Sequence, residues 1–277
     1  MSKYRYNLDR IIDESFEEVI EYFNKEGIIK REPLLIKENS FFNIPVMSTL
    51  SAYAVFAYNE ISNMLKYHTF YVPISLIMWS IPSFWVLWRY KYSYGVYIPV
   101  IKVIYTMKNT LKMTIDKLLD ALSSKNISGP SIISLKPPEL GIVAYPVYTD
   151  RNNLEKDIPK AIAKIILIHE VAHSIIGISE WKASTLEYSV YFYKNFYKND
   201  LYKYPEVYKI IKRNIEKCKA YIEEEKKPNP YSIGLCYANI IICKHQSTEL
   251  NIKDIIKEIK YLSKKDVINI IKSYNIN

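Results

Sequence analysis

Glutamine occurs once in this chain, at Gln246, and glycine only six times in 277 residues. So little glycine excludes a sheet-rich fold with many tight turns, because such turns need residues free to take positive φ. Helices should dominate. The three cysteines, Cys218, Cys236 and Cys243, are an odd number without the spacing of a disulfide framework. Met1 to Arg10 is polar and charged, which is not the pattern of a secretion signal. Both readings point to a reducing, cytoplasmic location. The net charge of +9 comes without an Arg-rich stretch or an RNA-binding aromatic motif. Its lysines are spread among glutamates, as from Glu223 to Lys227, so nucleic acid is not the expected partner.

Hydrophobic residues at 49% and charged residues at 24% are ordinary for a folded chain, and the length suits one or two domains. Ile, Lys, Asn and Tyr are used heavily. Codons rich in A and T would produce part of this bias, and scarce Gln with abundant Lys fits a thermophile. We read the source as an archaeon or an archaeal virus.

Phe70 to Trp88 contains no charged residue and is nominally long enough to span a bilayer. Its period argues otherwise. From Phe84 to Tyr94, aromatic and apolar residues alternate with Arg89, Lys91 and Ser93, the mark of a strand with one polar face. Pro82 with Ser80 and Ser83 makes a turn, and Tyr71 to Trp79 the preceding strand. A hairpin explains more residues than a membrane helix, so membrane association is the less favoured alternative.

Helical periodicity marks Asn7 or Asp9 to Lys25, Ser48 to Tyr67, and a long segment opened by Pro99 and ending near Ser123. Two short strands should follow, Ser131 to Leu135 and Gly141 to Tyr145. A central helix runs from Ile158 to Ile176, with Asp157 as N-cap, Pro159 in its first turn and Gly177 at its end. Further helices are expected at Ser179 to Lys198, Pro205 to Lys226, Tyr231 to Lys244, Asn251 to Leu262 and Lys265 to Tyr274. The fold class is α+β, mostly α. We divide the chain into an N-terminal helical segment (1–67), a core (68–198) and a C-terminal helical subdomain (199–277).

The central helix contains His169-Glu170-Val171-Ala172-His173. Residues four apart share one helical face, so the two imidazoles can converge on one ion. Glu170 lies about 100° further round, beside the ion rather than on it, where a general base is wanted. The chain has four histidines, and two fall at this spacing in an otherwise apolar, Ile-rich helix. Burying three polar groups there without partners would cost several kcal/mol, and zinc would supply the partner. The competing reading is a buried helix with two incidental histidines.

On this motif and its flanks the chain resembles the zincin metallopeptidases. The order of long helix, strands, edge strand, motif helix and following helix is also similar. The resemblance implies a zincin-like core, Zn2+ as cofactor, a peptide or protein substrate, and a strand before the motif helix that pairs with substrate. Gly141 to Tyr145 stands in that place, where an ordinary interior strand would serve equally.

The resemblance also implies a third ligand beyond Gly177. In metzincins it is a His three residues after a glycine turn; here that offset holds Glu180, and Gly177 stands one residue later than in that family. In gluzincins it is a Glu on the next helix. Glu180 and Glu187 are seven apart on one face, and either could reach the metal. Glu187 has more helix over which to return. The other would brace an imidazole through its second nitrogen.

Under this reading, zinc activates a water, Glu170 takes its proton and passes it to the leaving amine, and a further donor steadies the oxyanion. Tyr188, Tyr191 and His245 are candidates for that donor on position alone. The alternative is a non-catalytic metal-binding structural or host-interaction protein of an archaeon or archaeal virus. Cys236, Cys243 and His245 match no common zinc module.

Overall fold

Asn7 opens the first helix, α1 (Leu8–Lys25), by accepting the Arg10 N–H on its side-chain oxygen at 3.2 Å. One face of α1 is buried through Ile12, Val19, Ile20 and Phe23. The computed structural model describes residues 4–29, 31–38, 58–59, 61–62, 66, 94–98, 102–125, 127, 129–137, 142–225, 227–245 and 251–275. The expected helix at Ser48 to Tyr67 and the hairpin at Phe70 to Trp88 lie almost wholly outside these residues.

Two small sheets follow α1. In the first, β1 (Leu34–Lys37) pairs parallel with β3 (Val103–Thr106), and β2 (Gly95–Ile98) pairs antiparallel with the other side of β3. After α2 (Lys108–Ser123), β4 (Ser131–Leu135) and β5 (Tyr145–Thr149) form an antiparallel pair, with Leu135 opposite Tyr145. The remainder is helical: α3 (Leu154–Ile176), α4 (Glu180–Phe192), a π-helical turn at Tyr193–Tyr197, a 3-10 turn at Leu201–Lys203, α5 (Pro205–Glu224), α6 (Pro230–Lys244), α7 (Ile252–Tyr261) and α8 (Lys264–Ser273). The chain is α+β and mostly α. No helix among the described residues is long and apolar enough to cross a membrane.

The core is continuous from α1 to α8. Helix α3 packs against α1, α2, α4 and the edge strand β2. Helix α4 is buried nearly all round, between α3 and α6, which fits its lack of a polar face. Contact between α4 and α6 is closest at Gly234, where an added Cβ would overlap the Trp181 carbonyl oxygen and stand 2.8 Å from Ser184 Cβ. Thr185 Oγ1 bonds both the Trp181 and Gly234 carbonyls across this seam, at 2.7 and 3.1 Å. Gly234→Ala should therefore destabilise the protein by about 3 kcal/mol, since neither backbone can yield. Chemical denaturation of the variant checks this, and a loss under about 0.5 kcal/mol would mean the seam is looser than drawn.

Four sequence expectations need correction. The segment after Pro99 is not helical from its start: Val103 to Thr106 is strand β3, fully buried between β1 and β2, and the helix begins at Lys108. A β-branched and aromatic run (Val-Ile-Tyr-Thr) buried on both faces has no period of its own to separate it from a helix. The strand expected at Gly141 to Tyr145 instead runs from Tyr145 to Thr149. Helix α3 begins at Leu154 rather than Ile158, so Asp157 lies in its first turn and Pro159 inside it. Finally, Cys218 and Cys236 form a disulfide between α5 and α6, both sulfur-bearing side chains buried. Framework spacing rules say nothing of a pair that only helix packing brings together.

Candidate metal centre

The motif helix ends at Gly177, whose backbone (φ +85°, ψ −169°) takes a region open essentially to glycine alone. This turn aims the Gly177 carbonyl back at His173, whose Nδ1 lies 2.9 Å from it. A carbonyl can only accept, so Nδ1 of His173 carries the proton and Nε2 of the neutral ring presents a lone pair. His169 is arranged alike by a different partner. Its Nδ1 lies 3.2 Å from Oε2 of Glu187, which leaves its Nε2 as the acceptor in the neutral ring.

The two Nε2 atoms face one another at 3.1 Å, with the rings perpendicular. Ser179 ends the turn and α4 starts at Glu180, whose Oε2 stands 3.3 Å from His169 Nε2 and 3.6 Å from His173 Nε2. Three acceptors thus converge on one point. Atoms held tetrahedrally at about 2.0–2.1 Å from a single ion lie about 3.3–3.4 Å apart, which is the spacing observed. Among the described residues this is the one group of three metal-ligating side chains so placed. Both imidazoles are buried, while the Glu180 side chain is 34% exposed, so the cluster opens to solvent on one side. Two imidazole nitrogens and a carboxylate oxygen form a donor set that could hold a divalent metal ion.

Glu187 does not join these three atoms. It sits behind His169, fully buried, and takes three donors: Tyr145 Oη at 2.6 Å, Tyr231 Oη at 2.9 Å and the His169 ring. The Tyr231 ring also packs on His169, with centroids 5.2 Å apart. Burial pushes both phenols well above the usual tyrosine range, so they act as neutral donors. Sequence reading missed Tyr145 and Tyr231. Among 26 tyrosines nothing local marks them, because their common partner on α4 is reached from β5 and α6.

Glu170 is not one of the three converging groups; its side chain lies against β2 at Gly95, close enough to feel the charges of His169, His173 and Glu180. It is buried, and burial raises its carboxyl above the ordinary range against the charges of His169 and His173 and a hydrogen bond from the Tyr97 backbone. Gly95 makes room for it: a Cβ there would lie 3.1 Å from Glu170 Cγ. In the absence of a metal, burial works to lower the His169 pKa. Hydrogen bonds to Glu180 and Glu187, with the charge of Glu170, overcome it and push the value up to about 10. Glu180 is lowered, its burial outweighed by the two imidazoles. Both shifts express one fact: the carboxylates here stabilise positive charge, which in the metal-free protein sits on His169.

The oxyanion candidates lie elsewhere. Tyr188 Oη donates to the Ala144 carbonyl at 2.9 Å and Tyr191 Oη to the Pro146 carbonyl at 3.0 Å, while His245 lines a cavity at the far end of α4. The proposed substrate strand is also engaged, since Asn214 bonds both the N–H and the carbonyl of Ala144, at 2.9 and 2.8 Å. The strand that lies on α3 beside Glu170 is β2. No protein-family model, no curated protein and no solved structure matches this chain, so its functional reading rests on these side chains.

Proposed function

We propose that this chain is a zinc-dependent metallopeptidase of zincin type, with His169, His173 and Glu180 holding the ion and Glu170 as general base. One observation carries the reading: two lone-pair nitrogens and a carboxylate oxygen converge at 3.1–3.6 Å while both Nδ1 protons are committed elsewhere. With both rings neutral, acceptors gathered so closely favour a metal cation between them, in place of the proton that His169 otherwise holds. Zinc, when bound, supplies Lewis acidity that lowers the pKa of water and polarises a carbonyl. The chain's own residues do the rest. Gly177 and Glu187 fix the tautomers of His173 and His169, so both Nε2 atoms stay available. Glu170, with its carboxyl raised by burial, can accept a proton from water and release it to a leaving amine. The Tyr97 N–H orients that carboxylate, and Gly95 leaves it space. A peptide or protein is the substrate class. The proposed location is the cytoplasm of a thermophile, where a buried disulfide such as Cys218–Cys236 can persist.

The test is metal content of tag-free protein by plasma mass spectrometry, beside the His169→Ala/His173→Ala double variant. About one zinc per chain is expected, and none in the variant. A peptide library then reads out cleavage. Zinc without cleavage would move the protein to a structural metal-binding role, and no metal after incubation with zinc would end the proposal.

A further inference from the structure

A cavity of about 270 Å³ lies at the end of α4 opposite the metal centre, between the π-helical turn, the 3-10 turn, α5 and α6. It shares no residue with the metal centre: twelve positions of helix separate Phe192, on its floor, from Glu180. Val207, Ile211 and Ile242 complete that buried apolar floor. Tyr197 and Tyr202 form an aromatic wall, stacked with centroids 4.7 Å apart. Two backbone departures frame it. Tyr193–Tyr197 is π-helical, a form that is rare and concentrated at functional sites. Asp200 holds a left-handed conformation (φ 55°) just before the 3-10 turn that brings in Tyr202 and Lys203.

The polar lining carries one permanent cation, Lys203, with the His245 imidazole also on the wall, and among the described residues no carboxylate lines it. Lys203 has Asp200 at 3.0 Å, but both side chains are more than 60% exposed. An ion pair so exposed is worth little and is readily exchanged for another anion. The volume falls just below the roughly 300–1,000 Å³ of sites for drug-sized ligands, which suits a molecule of roughly 10–14 non-hydrogen atoms.

We propose that this cavity binds a small organic acid with an aromatic or short aliphatic body, its carboxylate towards Lys203 and His245 and its apolar end on Phe192, Ile211 and Ile242. The site is independent of the metal centre and of any peptidase activity.

Titration calorimetry with 4-phenylbutyrate tests it, with the isosteric neutral 4-phenylbutyramide as control. The acid should bind with Kd below about 1 mM, a level that ordinary ligand efficiency gives for this size. The amide should bind about three- to fivefold more weakly, as one partly screened charge contact implies. Lys203→Ala, a surface change that leaves the floor intact, should bring the acid down to the affinity of the amide. Ile242→Trp should abolish saturable binding at unchanged helix content by circular dichroism; should that variant fail to fold, the Lys203→Ala comparison decides alone. No saturable binding of the acid up to about 10 mM, or equal binding of acid and amide by the wild-type protein, overturns the proposal.

Discussion

Glu170→Gln should lower peptide cleavage by about 10²- to 10⁴-fold while leaving zinc content unchanged, the loss expected when a general base is removed. The substitution is nearly isosteric, so the room that Gly95 leaves beside Glu170 Cγ still suffices. The amide oxygen can keep accepting the Tyr97 N–H, so the side chain should stay oriented. The three converging atoms stay in place, because they belong to His169, His173 and Glu180. The effect should therefore fall on kcat, with KM and metal stoichiometry near their original values. Steady-state kinetics on one cleaved peptide, with metal analysis of the same preparations, reads both. A variant retaining more than about a tenth of the activity would remove Glu170 from the role of base. Loss of zinc with activity would instead place its carboxylate nearer the ion than the geometry implies.

Local signals fix much of this protein, and tertiary contacts fix the rest. Asn7 or Asp9 before an amphipathic run brackets the start of α1, which falls at Asn7, and Gly177 marks the end of α3, because caps are set by single residues. Strand β4 follows from a short β-branched run bounded by turn residues. In the candidate site, His169, Glu170 and His173 are read from one helix, where spacing alone decides which side chains are neighbours. Everything supplied by another element was hidden. The sequence places Glu180 and Glu187 on the same face of α4, and helical length favours Glu187. The turn at Gly177 reverses that expectation in space: it delivers the first residue of α4 to the imidazoles and carries Glu187 past them, to the outer nitrogen of His169. Tyr145, Tyr231 and Gly95 reach the motif through β5, α6 and β2, and no pattern in a single segment records such a meeting.

The two glutamates should separate by their effect on the ion. Glu180→Ala removes one of three converging atoms, and zinc affinity should fall by on the order of 10³-fold, as loss of a direct ligand implies. Glu187→Ala leaves all three atoms in place but frees the His169 Nδ1 proton from its acceptor, so the expected loss is about 10- to 100-fold. It should carry a second cost. Tyr145 and Tyr231 both donate to the fully buried Glu187 carboxylate, and leaving the buried Tyr145 hydroxyl without it would cost about 1–3 kcal/mol of stability, with a smaller loss at the partly buried Tyr231. Glu180, at 34% exposure, leaves no buried hydroxyl behind, so the loss of its screened pairing with the imidazoles should cost the metal-free protein less than Glu187→Ala does. The variants therefore differ in opposite senses, one in affinity and the other in apo stability. Competition with a zinc-binding dye measures the first and apo-protein denaturation the second. Were Glu187→Ala to lose the metal while Glu180→Ala kept it, the ligand would be Glu187. The carboxylate at the mouth of the site would then face substrate instead of the ion.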